Sequence, residues 1–242
     1  MRFNGVDLNT IHGAVSRAGE TMPGLAARDI ATTETADGST VVNVDGRQDE
    51  YTVHVNIAGR SYAEAMEARL RLAAWAGSSG KHTAQLEPTH MPGKAYDAIV
   101  KSIGKVEKRF TTVDVVFALP RPVLYDITPQ IRRATAAKEA ALMVGGSAPA
   151  QPVIQWKPSS AVNTPRLMLD GVTFFTLSGT LGAGKTLEVV LETGAVTIDG
   201  EHAESRIVYT ESDLDMLLEP GAHVLSTSAP GDLTVRWHTR WQ

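Results

Sequence analysis

The sequence of 242 residues contains no cysteine, which excludes disulfides, thiolate metal sites and thiol catalysis. It also lacks an excess of basic residues, since its formal net charge is −4. Nucleic-acid surfaces rely on clustered Lys and Arg, so we expect no sequence-specific nucleic-acid partner. No run approaches the roughly 18 apolar residues of a membrane span, and the start lacks a signal-peptide core. We therefore expect a soluble protein without membrane insertion or a cleaved signal.

Short segments rich in Val, Ile and Thr, separated by Gly, Pro and Asp, predict a mainly β protein. The odd positions of residues 51–57 are apolar and the even positions are polar. This alternation is the period of a strand with one buried face. The predicted strands are residues 40–44, 51–57, 111–119, 172–177, 187–191 and 196–198.

One helix is predicted over residues 61–76. Ser61 and Glu64 form an S-x-x-E capping box, and Gly77 supplies the stop. An apolar stripe on this helix is expected to lie against a sheet. The stripe consists of Tyr62, Met66, Leu70 and Ala73.

A second helix is predicted over residues 129–143, because Thr128 can cap it, Pro129 suits its first position and a Gly-Gly pair follows it. Its apolar face is thin, which indicates a connector or a contact with a neighbouring subunit. The next segment, 144–151, has the composition of a linker. We therefore predict an N-terminal β-rich domain, 1–143, and a C-terminal β-sandwich, 152–242.

A phosphate-loop pattern, G-x-x-x-x-G-K-[ST], occurs as GTLGAGKT at residues 179–186. In a nucleotide site Gly179 and Gly184 would shape the loop, Lys185 would reach the outer phosphates and Thr186 would hold magnesium. Such a loop must open a helix, whose amides and dipole bind the phosphate. The sequence that follows alternates and turns back as a β-hairpin. We interpret the match as a turn between two strands and expect no cofactor.

No other pattern predicts an enzyme or a metal site. The seven histidines are scattered, without the spacing of a helical metal site. No serine lies in a G-x-S-x-G elbow. The acidic segment 211–215 lacks the pattern of a calcium loop.

The last strand, DLTVRWHTRW, places basic and aromatic residues on opposite faces. Platforms for single-stranded nucleic acid need both on one surface. A closing strand with Trp237 and Trp241 packed inward is the favoured interpretation. Carbohydrate contact through either tryptophan stays open, because aromatic faces pack against sugars.

Five segments carry a resemblance to a known family. They are FNGVDL (3–8), ARLRLAAWAG (68–77), VDVVFALPRPVLYD (113–126), LGAGKTLEVVLETGAVTIDG (181–200) and LEPGAHVLSTSAPGDLTVRWHTRW (218–241). In this order they resemble an opening strand and turn, a helix, a strand with a Pro-Tyr exit, a hairpin and a closing pair of strands. That series is similar to the distal tail proteins (Dit) of siphophage-like tails and related tail-like particles.

The resemblance implies a structural protein of the virion and not an enzyme. It implies an N-terminal domain that forms a homohexameric ring at the distal end of the tail and a C-terminal galectin-like jelly roll outside the ring. Expected partners are the tail tube protein, the trimeric tail hub protein, and receptor-binding or other baseplate proteins, joined during assembly in the host cytoplasm. The alternatives are a carbohydrate-binding adhesion module that contacts the host cell wall and, third, a phosphate-loop nucleotidase.

Overall fold

A computed structural model describes residues 1–22, 28–35, 38–46, 49–105 and 108–242 of the chain. The chain divides into two compact units. The first unit is Met1–Tyr125 together with Gln242, and the second unit is Asp126–Trp241. The predicted mainly β fold is confirmed, with one α-helix in the described part of the chain. None of the described helices is long and apolar enough to cross a membrane.

The first unit is built on one large sheet whose strands follow the order β2-β1-β7-β8-β9-β6-β3. Strands β4 and β5 form a separate two-stranded ribbon. The elements are β1 Arg2–Phe3, β2 Val6–Asp7, β3 Val15–Thr21, β4 Arg28–Thr35, β5 Gly38–Gly46, β6 Asp49–Ala58, α1 Tyr62–Ala76, β7 Ala84–Glu87, β8 Lys94–Ile103 and β9 Phe110–Asp126. Short 3₁₀ helices lie at Leu8–Thr10 and Gly77–Ser79.

Local sequence signals in the first unit fold as predicted. Strands β1 and β2 are joined by Asn4 and Gly5, which both have positive φ, the geometry that two-residue hairpin turns require. The odd positions of 51–57 in β6 are buried, whereas the even positions are half-buried. The predicted alternation is therefore confirmed.

The helix α1 begins and ends as predicted, but its buried face is different. The Ser61 hydroxyl accepts a hydrogen bond from the Glu64 amide at 3.2 Å. The side chains that face the sheet are Ala65, Ala68, Leu72, Trp75 and Ala76, not the predicted stripe. The small alanines let the helix approach closely, and the ring of Trp75 packs at 5.8 Å from that of Phe3.

The second unit is a β structure around its own core. Its main sheet follows the order β14-β13-β19-β11-β16-β17-β18, with β10 paired to β19, while β12 pairs with β15. The strands are β10 Gln130–Val144, β11 Val153–Pro158, β12 Val162–Asn163, β13 Arg166–Leu169, β14 Val172–Thr176, β15 Thr180–Leu181, β16 Leu187–Val190, β17 Ala195–Ile198, β18 Glu201–His202, β19 Gly221–Trp237 and β20 Arg240–Trp241. Short 3₁₀ helices lie at Glu204–Arg206 and Tyr209–Glu211. The galectin-like type of this fold stays a prediction.

The predicted helix over 129–143 is wrong, because this segment is strand β10. It pairs antiparallel with β19 from Gln130 opposite Trp237 to Val144 opposite Gly221. Alanine favours helices by only a few tenths of a kcal/mol per residue, so pairing along a whole strand overrides it.

The boundary between the units accordingly lies after Tyr125, and not at 144–151. The predicted linker is part of the second unit, where Ala148 and Ala150 are buried. The amides of Ala150 and Leu218 each donate to the other's carbonyl at 2.8 Å. Reciprocal backbone hydrogen bonds of this kind hold a segment in one position, whereas a flexible linker lacks them.

Strand β19 runs for 17 residues and continues through Pro230 and Gly231. A β-carbon at Gly231 would lie 2.4 Å from the carbonyl oxygen of Lys157. Glycine therefore permits the close approach of β19 to β11 at this point.

Candidate functional surfaces

The outer face of helix α1 carries apolar side chains that the first unit does not cover. Tyr62 is 64% exposed and Leu70 is 67% exposed. Met66 is half-buried, and Ala73 is exposed. We call these four residues the outer stripe. A cluster of exposed apolar side chains on one helix face is typical of a protein–protein contact.

Strand β3 ends the sheet of the first unit and pairs on one side only, with β6. Its register shifts between Arg17 and Gly19, which is the mark of a bulge. Among the residues that the structure describes, no strand pairs with its other side. An unpaired strand edge offers backbone donors and acceptors to another chain.

The end of β3 is anchored by the carboxylate of Glu20, whose side chain is only 2% exposed. It accepts hydrogen bonds from the Tyr51 hydroxyl at 2.5 Å and the Thr89 hydroxyl at 2.6 Å. It also lies 3.1 Å from Nδ1 of His90 and 3.5 Å from Arg17. These contacts tie β3 to β6 and to the loop between β7 and β8.

Two effects oppose each other at the Glu20 carboxyl group. Burial raises its pKa, but the hydrogen bonds from Thr89 and Tyr51 and the charge of Arg17 outweigh burial, so the pKa lies below its ordinary value of 4.5. Burial and the bond to Glu20 raise the pKa of Tyr51. Glu20 is therefore an anion and Tyr51 a neutral donor near neutral pH.

The β4–β5 ribbon is a second open element of the first unit. Its strands pair from Arg28 opposite Gly46 to Thr35 opposite Gly38. Neither strand pairs with another strand within the described ranges. A two-stranded ribbon has marginal stability in water by itself and gains from pairing with, or packing on, another element.

The phosphate-loop pattern folds as a strand and a turn, and no helix follows it. Thr180 and Leu181 form β15, and Leu187 begins β16. The amide of Gly184 donates to the Pro158 carbonyl at 2.9 Å. The amide of Lys185 donates to the Gly182 carbonyl at 3.2 Å. Amides bonded in this way cannot cradle a phosphate.

The charged groups of the same segment are bonded to each other across the hairpin. Nζ of Lys185 lies 2.7 Å from a carboxylate oxygen of Asp199, and the Thr186 amide donates to that carboxylate at 2.8 Å. The hydrogen bond to Asp199 raises the pKa of Lys185, and the same bond lowers the pKa of Asp199. Strands β16 and β17 pair antiparallel. The parallel strand that a phosphate-loop site requires is not formed here.

The two C-terminal tryptophans lie in different environments. Trp237 is 5% exposed and packs in the core of the second unit. Trp241 is 38% exposed, and its indole N–H donates to the Asp126 carboxylate at 3.4 Å. The prediction that both pack inward is correct for Trp237 and wrong for Trp241. Trp237 therefore offers no ring face to a sugar.

Titratable side chains form pairs but no larger ligand group. In the part of the chain that the structure describes, no three His, Asp or Glu residues are placed to hold a metal ion. The shortest histidine pairs, both at 2.7 Å, join His54 to Asp114 and His223 to Asp170. The bond to Asp170 raises the pKa of His223.

A shallow cavity of about 110 Å³ lies on the outer face of the second unit, above strands β10, β19 and β11. Sequence reasoning missed it, because it assigned β10 to a helix and so could not place its side chains beside those of β19. The lining residues are Ile131, Arg133, Val153, Gln155, Thr234 and Arg236.

Comparison with known proteins confirms the resemblance to phage distal tail proteins. Residues 145–241 match a family described as siphovirus-type tail component, C-terminal domain. The whole chain shares its fold with the Dit protein of phage SPP1, described as a paradigm of hub adsorption apparatus in phages that infect Gram-positive bacteria. That match has a TM-score of 0.85 at 14% identity and covers 100% of this chain and 98% of that chain.

Two structures of the phage P2 baseplate in its activated conformation, with Ca and with Sr, are also similar. Their TM-scores are 0.59 and 0.58, at 9% and 10% identity. Each match covers 96% of this chain and 92% of the other. No curated protein matches the chain in sequence.

Proposed function

We propose that this protein is a structural hub of a phage tail tip, of the distal tail protein type. Six copies would form a ring through the first unit. The ring would join the tail tube protein to the trimeric tail hub and would anchor receptor-binding or other baseplate proteins. The protein would act at the distal end of the virion tail, after assembly in the host cytoplasm.

The observation that carries this proposal is the set of open elements in the first unit. It has an edge strand with one unpaired side, a ribbon that pairs only with itself in the described residues, and the outer stripe of α1. A subunit of a ring needs surfaces of this kind, to which the neighbouring subunits bind so that the ring closes. The likeness to SPP1 Dit over the whole chain supports the same role.

A structural role also agrees with the geometry of the sites that suggested chemistry. The amides and the lysine of the phosphate-loop pattern are bonded within the protein. A nucleotidase would need these groups for its substrate. A carbohydrate-binding module could not use Trp237 to contact a sugar, because that side chain is buried.

The ring can be tested on the purified full chain by multi-angle light scattering and negative-stain electron microscopy. We expect a species of six copies with a central opening, at sufficient protein concentration or beside tube protein. Leu70→Glu should reduce the assembled fraction at least tenfold, because it places a charge in the centre of the outer stripe. The circular dichroism spectrum should not change, since Leu70 is exposed.

Arg71→Gln is the matched control, because it alters the net charge by the same amount one residue further along the same helix. Its partner Glu67 is exposed, at 3.8 Å, so the substitution should leave assembly unchanged. A wild-type chain that stays monomeric under all these conditions would contradict the ring. Equal loss of assembly in both variants would contradict the role of the outer stripe.

A further inference from the structure

Two arginines on the outer face of the second unit have no partner in the described part of the chain. Neither the guanidinium group of Arg133 nor that of Arg236 makes a hydrogen bond or an ion pair there. Arg132, on the opposite face, also has no such partner, whereas three other arginines of this unit are bonded through their side chains. Arg166 lies 3.4 Å from Glu211, Arg206 donates to the Ser178 carbonyl at 3.0 Å, and Arg240 donates to Gln151 at 3.2 Å.

The strand register places these two arginines side by side. In one row Arg236 lies between Ile131 of β10 and Val153 of β11. In the next row Thr234 lies between Arg133 and Gln155. Arg133 and Arg236 are therefore diagonal neighbours on one face, within reach of each other's long side chains.

Two acidic side chains on the same face of the sheet are already bonded. Glu188 accepts from the Gln155 amide at 2.5 Å, and Asp232 accepts from the Ala136 amide at 3.1 Å. Neither forms an ion pair with the two arginines. Two neighbouring guanidinium groups repel each other, so an anion between them would relieve that repulsion.

A role in blocking association of sheet edges does not explain both residues. Charged side chains on an edge strand prevent unwanted pairing, and Arg133 lies on the edge strand β10. Arg236, however, lies on β19, which pairs with β10 on one side and with β11 on the other. A charge on an interior strand protects no edge.

We propose that Arg133 and Arg236 bind the carboxylate of an acidic side chain from a partner protein. The guanidinium fork matches a carboxylate with two parallel hydrogen bonds. Ile131 and Val153 flank the cavity and would contact the methylene groups of a glutamate. A phosphate group has no apolar part that would use these two walls.

The site goes beyond the proposed ring, because it lies wholly on one face of the second unit and needs no second copy. Binding of a peptide and formation of a ring are measured separately, so either can fail without the other. The probe is a fluorescein-labelled hexaglutamate peptide, titrated with the full chain and followed by fluorescence anisotropy at low salt.

We expect saturable binding that Arg133→Gln and Arg236→Gln each weaken at least fivefold, and that the double variant weakens at least tenfold. Arg132→Gln is the matched control. It removes the same charge from the same strand, but residue 132 lies on the opposite face and does not line the cavity. It should change the affinity less than twofold.

Competition distinguishes the chemistry of the ligand. Glutarate should displace the peptide at a lower concentration than inorganic phosphate does. Stronger displacement by phosphate would overturn the carboxylate assignment in favour of a phosphate ligand. Absence of saturable binding, or equal weakening in Arg132→Gln, would overturn the site itself.

Discussion

The two units bury their polar groups in different ways. In the first unit the indole N–H of Trp75 donates to the Val6 carbonyl at 3.0 Å, and the buried Tyr51 hydroxyl donates to Glu20. In the second unit the indole N–H groups of Trp156 and Trp237 are buried without a protein partner. The first core is therefore fixed by directional bonds as well as by packing, whereas the second depends more on shape.

The largest expected effect is a loss of stability in the second unit when its close packing at Gly231 is disturbed. Gly231→Ala places a methyl group 2.4 Å from the Lys157 carbonyl oxygen and 2.7 Å from the Cα of Pro158. Because backbone atoms must move, the free energy of unfolding of this unit should fall by about 3 kcal/mol or more. Hydrogen exchange in urea, resolved to peptides of each unit, measures the change.

The first unit should keep its protection in the Gly231→Ala variant. Gly13→Ala is the control, because no atom lies within 4 Å of the added carbon and the φ of Gly13 is ordinary. Its effect should be under about 0.5 kcal/mol. A loss of less than 1 kcal/mol in Gly231→Ala would show that β19 and β11 can separate easily at this point.

The second prediction concerns the hydrogen bonds to the buried Glu20 carboxylate in the first unit. Glu20→Gln should lower the free energy of unfolding of that unit by about 2 kcal/mol, since buried donors lose an ionic acceptor. Glu67→Gln, at an exposed pair, should cost under about 0.5 kcal/mol. Urea unfolding followed by hydrogen exchange of β3 and β6 distinguishes the two variants.

The pH dependence of the same unit follows from the lowered pKa of Glu20. A depressed carboxyl pKa contributes stability that is fully present above the unfolded value near 4.5 and is lost as the pH falls through the folded value. The wild type should therefore lose first-unit stability below about pH 4.5, and Glu20→Gln should show a flatter profile over that range. Parallel profiles for the two proteins would contradict the role of Glu20.

The smallest expected effect compares one tryptophan from each unit. Trp75→Phe loses a hydrogen bond and leaves the Val6 carbonyl without its donor, whereas Trp237→Phe removes an N–H that has no partner. Both variants lose similar volume, so Trp75→Phe should cost about 1 kcal/mol more. Unfolding of each unit in urea, followed by hydrogen exchange, measures the difference. Equal losses in the free energy of unfolding would show that the hydrogen bond of Trp75 does not stabilise the first unit.

Short-range signals were sufficient wherever a residue's partner lies within a few positions. The caps of α1, the alternation in β6 and the strand after the phosphate-loop pattern were all predicted from the sequence. Each depends on bonds or periods within about one turn or one strand. The family resemblance also came from the sequence, through the order of its weak segments.

The tertiary structure decided what depends on distant partners. The sequence predicted the helix α1 and not its buried face, because both faces carry apolar residues and the sheet accepts the one with small alanines. The local signals of residues 129–143 predicted a helix, but alanine favours a helix only weakly. Pairing with the distant strand β19, in which Gln130 lies opposite Trp237, made this segment strand β10, and the sequence alone does not show that pairing. The diagonal placement of Arg133 beside Arg236 follows from that same register. The sequence alone thus determined the β architecture and the local turns, and long-range packing decided which side chains are exposed together.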